Sequence, residues 1–518
     1  MRRLLLALMA LFLAVPAHAN WNEARTRHFI IYSQQKPDDL RAFAERLERF
    51  DRAVRVVRGM EDPPLTDGGK VSIYLLPSVV QVRELAEASP NSGILGFYIG
   101  RAAGSVAFLS YRERRERASI TRDDIGIPPE HVFQHEYMHH LMLSDQKTPL
   151  SPWLVEGTAE FFGTAEVEND GGVKIGAPPQ ARGWAVLDNQ GLSAEELLAS
   201  VPAKTPLERE SVYGKGWLLT HLLAFDKNRV GQLTKYLNAM KAGSKPLDAA
   251  RTAFGDLAQL DRDLARYARS NFQAIRVAPG PRPEVTIRAM NAGESAIIAV
   301  RMQSDRGVDR ETAPEVAADA RRIAAAHPNN PFVQSVLAEA EFDARNYEAA
   351  IAAADRALAA QPNNVQALIY RGRAMMELAE KEPAKADWAE IRRWLVRANR
   401  ADVENAYPLW LFYQTFAEAG QAPTKSATEG LLYAHALAPQ DRNLRLAAVR
   451  RLLEEKRVAE AEPMFATLVF DPHLPIALQP TMTSVLDRIK AKDAPGALKI
   501  LAEEEAKQKA KAEAERKS

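Results

Sequence analysis

A repeat of 34 residues in the C-terminal half constrains the fold of this 518-residue chain more than any other feature. The segment His327-Pro328-Asn329-Asn330-Pro331 recurs as Gln361-Pro362-Asn363-Asn364-Val365. A second pair, Pro439-Gln440-Asp441 and Pro472, is spaced 33 residues apart. A fixed period of this length is typical of stacked helical units that share one continuous core. We therefore expect residues 312–518 to form an all-α solenoid.

Small and apolar residues lie between the two Pro-Asn-Asn segments, at the places where paired helices must approach each other. These residues are Leu337, Ala338, Ala350 and Ala357. The pattern resembles tetratricopeptide repeats. The resemblance implies a groove that binds a peptide or a partner protein. The alternative is that the repeats only stabilise or space the N-terminal half.

The segment His135-Glu136-Tyr137-Met138-His139 is the strongest candidate for chemistry. Residues four apart lie on one face of a helix, so His135 and His139 can hold one metal ion, and zinc prefers such nitrogen ligands. Glu136 lies beside them and can act as general base on a metal-bound water. His131 and His140 flank the motif, and we interpret them as bystanders or as supporting residues. A helix that carries two histidines by coincidence is the alternative.

A second helix is predicted to begin at Ser151-Pro152, where a serine cap precedes a proline in the first turn. Glu156 lies in its early turns and is the candidate third ligand. Glu160 lies one turn later on the same face, where a carboxylate could orient His135 through its free ring nitrogen. Trp153 and Phe161 indicate that this helix packs.

Together with Tyr213-Gly214-Lys215-Gly216 further along the chain, these motifs resemble the gluzincin metallopeptidases, the group of thermolysin and aminopeptidase N. The resemblance implies Zn²⁺ on His135, His139 and Glu156, Glu136 as catalytic base, and Tyr213 as donor to the oxyanion. No acidic residue occurs in Gly104–Tyr111, so the specificity of aminopeptidases does not carry over. That strand remains a candidate edge for an extended substrate.

The rest of the chain divides at composition changes. Residues 20–273 alternate strand and helix signals and are predicted to form an α+β zincin-like catalytic domain, with a small twisted sheet and a helical lobe over 190–273. Within that lobe we expect His221 to be a packed histidine. Residues 274–311 are predicted to be a linker with a β-hairpin, whose strands are Val285–Ala289 and Ala296–Met302.

Residues 1–19 have the pattern of a cleavable signal peptide, with Arg2 and Arg3 before an apolar run that is too short to span a membrane. We therefore expect a periplasmic or secreted protein without a membrane span. The chain has no cysteine, which leaves His and carboxylate side chains for any metal site. Removal of the signal changes the formal charge from +1 to −1, which gives no indication of a nucleic-acid partner.

These patterns predict an exported zinc-dependent peptidase whose repeats bind a peptide or protein. A repeat-based interaction protein with an inactive zincin domain is the main alternative. A metallohydrolase acting on a substrate other than a peptide also remains open.

Overall fold

The computed structural model describes most of the chain beyond the predicted signal segment, which lies outside the described residues. The described residues are 20–89, 92, 94–111, 129–145, 150–180, 183–187, 191–200, 205–470 and 474–515. No helix within these ranges is both long and apolar enough to cross a lipid bilayer.

Nine strands lie in the described part of the N-terminal half and the segment after it. They are β1 (Asn22–Arg25), β2 (Phe29–Ser33), β3 (Val71–Leu76), β4 (Gly96–Ile99), β5 (Val106–Ser110), β6 (Glu166–Val167), β7 (Val173–Ile175), β8 (Ile275–Val277) and β9 (Thr286–Ala289). The main sheet has the order β4-β5-β3-β2-β1-β9, and a small second sheet has the order β6-β7-β8. In the main sheet β2, β3 and β5 run parallel, whereas β4, β1 and β9 are antiparallel to their neighbours.

The central strands β2, β3 and β5 of the main sheet are buried on both faces because they are apolar at successive positions. In β2, Phe29 and Ile31 face one core, and Ile30 and Tyr32 face another. This follows from the two-residue period of side chains along a strand. A sheet of this kind must be covered by helices on both sides.

Within the described residues of this half, ten helices surround the sheet or form the lobe beside it. They are α1 (Pro37–Arg58), α2 (Val79–Leu85), α3 (Pro129–Asp145), α4 (Pro152–Gly163), α5 (Gly183–Leu187), α6 (Ala194–Leu198), α7 (Pro206–Phe225), α8 (Gln232–Lys241), α9 (Pro246–Phe254) and α10 (Leu257–Tyr267). Thr205 and Glu208 form a capping box that begins α7.

The prediction of a β-hairpin in the linker is wrong. Thr286–Ala289 is a strand, but it pairs with β1 at the edge of the main sheet. The second predicted strand lies within helix α11 (Ala292–Arg306), which begins at a capping box formed by Asn291 and Glu294. The apolar residues Ile297, Ile298, Val300 and Met302 fit a helix as well as a strand, and the cap decides between them.

Eleven further helices follow α11 in the described C-terminal region. They are α12 (Ala313–Ala326), α13 (Pro331–Asp343), α14 (Tyr347–Ala360), α15 (Val365–Lys381), α16 (Trp388–Ala401), α17 (Ala406–Glu418), α18 (Lys425–Leu437), α19 (Arg442–Glu454), α20 (Val458–Val469), α21 (Gln479–Lys490) and α22 (Ala494–Glu515). The predicted helical-repeat region is therefore present, and the protein is mostly helical with a small N-terminal sheet.

The repeat period has a local physical cause. Asn330, Asn364, Asn405 and Asp441 are the N-caps of α13, α15, α17 and α19, and each accepts a hydrogen bond from backbone N–H groups of the first turn. Short polar side chains at this position satisfy donors that a helix leaves unpaired. Between the caps, Ala338, Ala350, Ala353 and Ala357 are fully buried, which lets adjacent helices pack closely.

The repeats contact the N-terminal half directly. The Ala102 N–H donates to Asp441 Oδ2 over 2.8 Å, and Gln440 Nε2 donates to Ser105 Oγ over 3.0 Å. The Thr66 hydroxyl donates to Asp402 Oδ1 over 2.5 Å. The loop between β4 and β5 therefore meets the start of α19, more than 300 residues away in sequence.

Candidate metal centre

Helices α3 and α4 bring the candidate ligands together because they pack closely. Gly163 at the end of α4 lies against His135, and a Cβ added there would be 3.2 Å from His135 Cα. Glu156 lies one to two turns before Gly163 along α4 and faces the same helix. Its side chain is 2% exposed, whereas those of His135 and His139 are 14% and 13% exposed. The cluster therefore has a buried floor and an open side.

Three ligand atoms converge on one point. His135 Nε2 and His139 Nε2 are 3.1 Å apart. Glu156 Oε2 lies 3.3 Å from His135 Nε2 and 3.5 Å from His139 Nε2. Among the described residues, this trio is one of two groups whose geometry could hold a metal ion.

The trio fits zinc. Tetrahedral ligands at zinc–nitrogen distances of about 2.0–2.1 Å lie about 3.3 Å from one another. The three separations above are close to that value. Among the described residues, no fourth ligand joins the two imidazoles and the carboxylate, and a catalytic zinc site requires such an open position.

Opposite charges hold the side chains of His135, His139 and Glu156 together. Burial opposes ionisation of Glu156, but His139 and His135 outweigh it and hold the pKa of Glu156 well below its usual range. Burial likewise opposes protonation of His135, and the carboxylates of Glu156, Glu160 and Glu136 raise its pKa to about 9. A cation bound between these side chains would replace the proton on His135.

Glu160 lies on the opposite side of His135 from the ligand atoms. Its Oε1 is 3.5 Å from His135 Nδ1. A carboxylate in this place favours the tautomer that leaves Nε2 free to bind a metal. The structure thus places Glu160 where it can orient the ligand without entering the site.

Tyr213 reaches the site from helix α7. Its ring centroid is 5.8 Å from that of His135. This approach depends on two glycines, since a Cβ at Gly157 would be 2.3 Å from Gly216 O. Lys215, the charged residue of the Tyr-Gly-Lys-Gly segment, donates to Leu192 O.

Glu136 and His139 line a cavity of about 650 Å³. Tyr98 and Ile99 of β4 form part of the wall beside them. His140 lines the same cavity, and its Nδ1 lies 2.9 Å from the Tyr98 hydroxyl. Burial, with a contribution from Arg55 and His28, lowers the pKa of His140 to about 4.

Two other histidines discussed in the sequence analysis, His131 and His221, are not part of the ligand trio. The pKa of His131 is lowered by burial, and it is not a member of the trio. His221 is fully buried, with Nδ1 2.9 Å from the Tyr267 hydroxyl and Nε2 2.9 Å from Gln273 O. It is therefore the packed histidine that the sequence indicated.

A second group, His28, Glu48 and Asp51, also meets the distance requirement for a metal. His28 Nδ1 lies 2.8 Å from Glu48 Oε2 and its Nε2 lies 2.9 Å from Asp62 Oδ1. Asp51 accepts hydrogen bonds from Tyr137 and Arg55. We interpret this group as a buried ion-pair network that anchors α1 to α3.

Sequence reasoning missed the parts of the site that come from distant segments. Tyr98 lies in the cavity beside Glu136, and Gln440 and Phe470 of the repeats line the same cavity. None of these residues belongs to a motif with a metal-binding or catalytic pattern. Asp441 belongs to the Pro439-Gln440-Asp441 segment, which the sequence indicated only as part of the repeat.

Comparison with known proteins finds matches among solved structures. No family model matches the chain, and no curated protein matches it. Seven solved chains match. One is described as the crystal structure of the yeast Tom70, with 14% sequence identity, a TM-score of 0.25, and coverage of 69% of this chain and 72% of that chain. A TM-score this low does not support an inference about function.

The assignment of the chain to the gluzincin metallopeptidases is wrong. No family model, and so no peptidase family, matches the chain, and a zincin fold is not shown. The geometry of His135, His139 and Glu156 is independent of that assignment and stands on the distances above.

Proposed function

We propose that this protein binds a peptide segment of another protein in the cavity between its two halves, and that it hydrolyses the segment at a zinc ion. The observation that carries the proposal is the convergence of His135, His139 and Glu156 at separations of 3.1–3.5 Å beside that cavity. Helical repeats support the binding part, because such regions commonly engage peptides and proteins. The predicted signal segment supports export to the periplasm or beyond.

A zinc ion held by the trio would polarise a substrate carbonyl and make a bound water more acidic. Glu136 faces the same cavity and can take a proton from the attacking water and pass it to the leaving amine. Tyr213, beside His135, can donate a hydrogen bond to the oxyanion that develops. Glu160 keeps His135 oriented throughout.

The test separates metal binding from hydrolysis. We expect about one zinc per chain in wild-type protein, as a single trio implies, and loss of zinc in Glu156→Ala, measured by elemental analysis. Glu136→Gln should keep the zinc and lose about 10²- to 10⁴-fold in peptide hydrolysis, because it removes the general base. Wild-type protein that stays free of zinc after supplementation would contradict the proposal.

A second candidate is an interaction protein without catalysis. It is favoured by the repeat architecture, which occupies nearly half of the chain. In that case the trio would be a structural metal site. Peptide binding that is the same in wild type and Glu136→Gln, with no hydrolysis by either, would support this candidate.

A further inference from the structure

The cavity beside the metal trio has walls from both halves of the chain. Arg445 at the start of α19 and Thr467, Leu468 and Phe470 at the end of α20 line it, together with Pro439–Asn443. The N-terminal half contributes apolar side chains, namely Ile99, Met142, Leu143, Leu150 and Val155. A volume of about 650 Å³ is in the range of cavities that enclose a ligand.

The repeat wall is fixed in place by hydrogen bonds. Asp441 Oδ1 caps α19 by accepting from the Leu444 N–H, and its Oδ2 accepts from the Ala102 N–H. One carboxylate therefore both begins the helix and joins it to the loop after β4. Gln440 adds a bond to Ser105, and it packs on Gly100 so closely that a Cβ there would be 2.8 Å from Gln440 Cγ.

Apolar packing joins the same two surfaces. Ala102 is 4% exposed and lies in a cluster with Leu431, Ala434 and Leu444 of the repeats. Phe470 packs against the core of the N-terminal half while it lines the cavity. The repeats therefore form one wall of this cavity, which we also call the cleft.

The composition of the cleft indicates what it accepts. Leu143, Leu150 and Val155 come from the metal side, and Leu468 and Phe470 come from the repeat side. An apolar side chain placed among them would be removed from water. Because Glu136 and His139 line the same cavity, that side chain would lie near the bond exposed to the metal trio.

We propose that the repeats form one wall of the substrate cleft, and that this wall selects peptides with a bulky apolar side chain beside the bound metal. The inference rests on the proposed function, because it names the class of peptide that the same site takes. The repeats would then bind the substrate peptide itself, which lies between them and the N-terminal half of the same chain.

The test uses full-length protein carrying Glu136→Gln, so that binding is measured without cleavage. Fluorescein-labelled decapeptides that differ only in Leu or Ser at a central position are titrated and followed by anisotropy. We expect the Leu peptide to bind at least about tenfold more tightly, and Phe470→Ala to remove most of that preference. Tyr433→Ala, at an exposed position on α18 outside the cavity, should keep it.

A second variant guards against misfolding of Phe470→Ala. Asn443 is exposed on the same wall, so Asn443→Trp should fold and should weaken binding of both peptides by filling the cleft. Equal affinity for Leu and Ser peptides, or a preference that both variants leave unchanged, would overturn the inference. If the wild-type protein hydrolyses peptides without this preference, the inference is wrong but the proposed function is not contradicted. If the protein binds the Leu peptide selectively but hydrolyses neither peptide, the proposed function is wrong but the inference about the cleft is not contradicted.

Discussion

Three glutamates lie around His135 and differ in what they can do because they differ in position. Glu156 points its carboxylate at the Nε2 atoms of both histidines, Glu160 faces His135 Nδ1, and Glu136 lines the cavity. In the proposed function, these positions give the three glutamates the roles of ligand, orienting group and base.

Glu160 should affect zinc affinity without being a ligand. We expect Glu160→Ala to weaken zinc binding by about 10- to 100-fold, because His135 loses the carboxylate that fixes its tautomer and ring orientation. Competition with a chelating dye measures the affinity. Glu348→Ala, on the exposed face of α14, serves as control and should bind zinc like the wild type. An unchanged affinity in Glu160→Ala would show that His135 is oriented by its packing alone.

His28 should make folding stability depend on pH. Burial opposes its charge, but Glu48 and Asp51 outweigh that effect and raise the pKa of His28 above its ordinary value of about 6.5. The contribution of protonated His28 is therefore complete below about pH 6.5 and is lost as the pH rises through the higher folded-state pKa.

The measurement is urea denaturation of wild type and His28→Gln at pH 6 and at pH 9. The variant should be less stable than the wild type at pH 6, and the difference should shrink at pH 9. A difference that is the same at both pH values would mean that packing of the ring, and not its charge, stabilises the fold.

At the scale of elements, the site depends on how closely two helices pack. Gly157 of α4 and Gly216 of α7 lie in contact, and a Cβ at Gly216 would be 2.8 Å from Trp153 O. Such close approach places Tyr213 of α7 beside His135 of α3. Glycine is required at these two positions because a side chain would not fit between the helices. Backbone conformation is not the reason, since neither residue has a positive φ.

Gly157→Ala should therefore damage both stability and activity. The added methyl group would meet backbone of α7 and force the helices apart, at a cost of about 1–3 kcal/mol or more in the free energy of unfolding. Any peptidase activity should fall further than zinc content, because Tyr213 moves while the ligands stay. Thermal and urea unfolding, with zinc analysis, measure these effects.

Gly430→Ala is the matched control. Gly430 also lies in a helix, α18, but its added Cβ would meet only Leu409 Cδ2 at 3.8 Å. We expect this change to be neutral or to stabilise the protein by up to about 1 kcal/mol, since alanine favours the helix. Equal effects of the two substitutions would refute the close-contact account.

At the scale of the molecule, a buried ion-pair network joins α11 to the sheet, and apolar residues of α11 pack against the repeats. Asp305 Oδ1 accepts from Arg101 Nη2 over 2.6 Å, and Tyr74 of β3 donates to the other oxygen. Arg301 lies 3.5 Å from the same carboxylate. The arginines hold the pKa of Asp305 below its usual range even though burial opposes its charge.

Asp305→Ala should loosen the joint between the halves. It leaves two arginines without their buried carboxylate, and breaking such a pair costs about 3–5 kcal/mol. Asp319→Ala, which removes an exposed pair with Arg322, should change stability by less than about 0.5 kcal/mol. Urea denaturation compares the two. Small-angle scattering should show a larger radius of gyration for Asp305→Ala if the repeats detach, and similar stabilities of the two variants would contradict this account.

Local patterns were enough to predict many elements of this protein. The strand signal in Gly104–Tyr111 predicted β5, the Ser151-Pro152 pair predicted the start of α4, and the Pro-Asn-Asn repeat predicted a helical solenoid in the C-terminal region. The spacing of His135 and His139 set their common face. Each of these signals lies within one element, where backbone geometry fixes which residues are neighbours.

Only the tertiary structure could decide what lies across from those elements. The family assignment failed because short motifs do not specify a whole fold. The hairpin prediction failed for a local reason, because the apolar run at 296–302 fits a strand as well as a helix and the capping box of Asn291 and Glu294 favours the helix. The contact of Ala102 with Asp441 joins residues 339 positions apart. Such pairings depend on how complete helices and sheets pack, and no local pattern in the sequence carries that information.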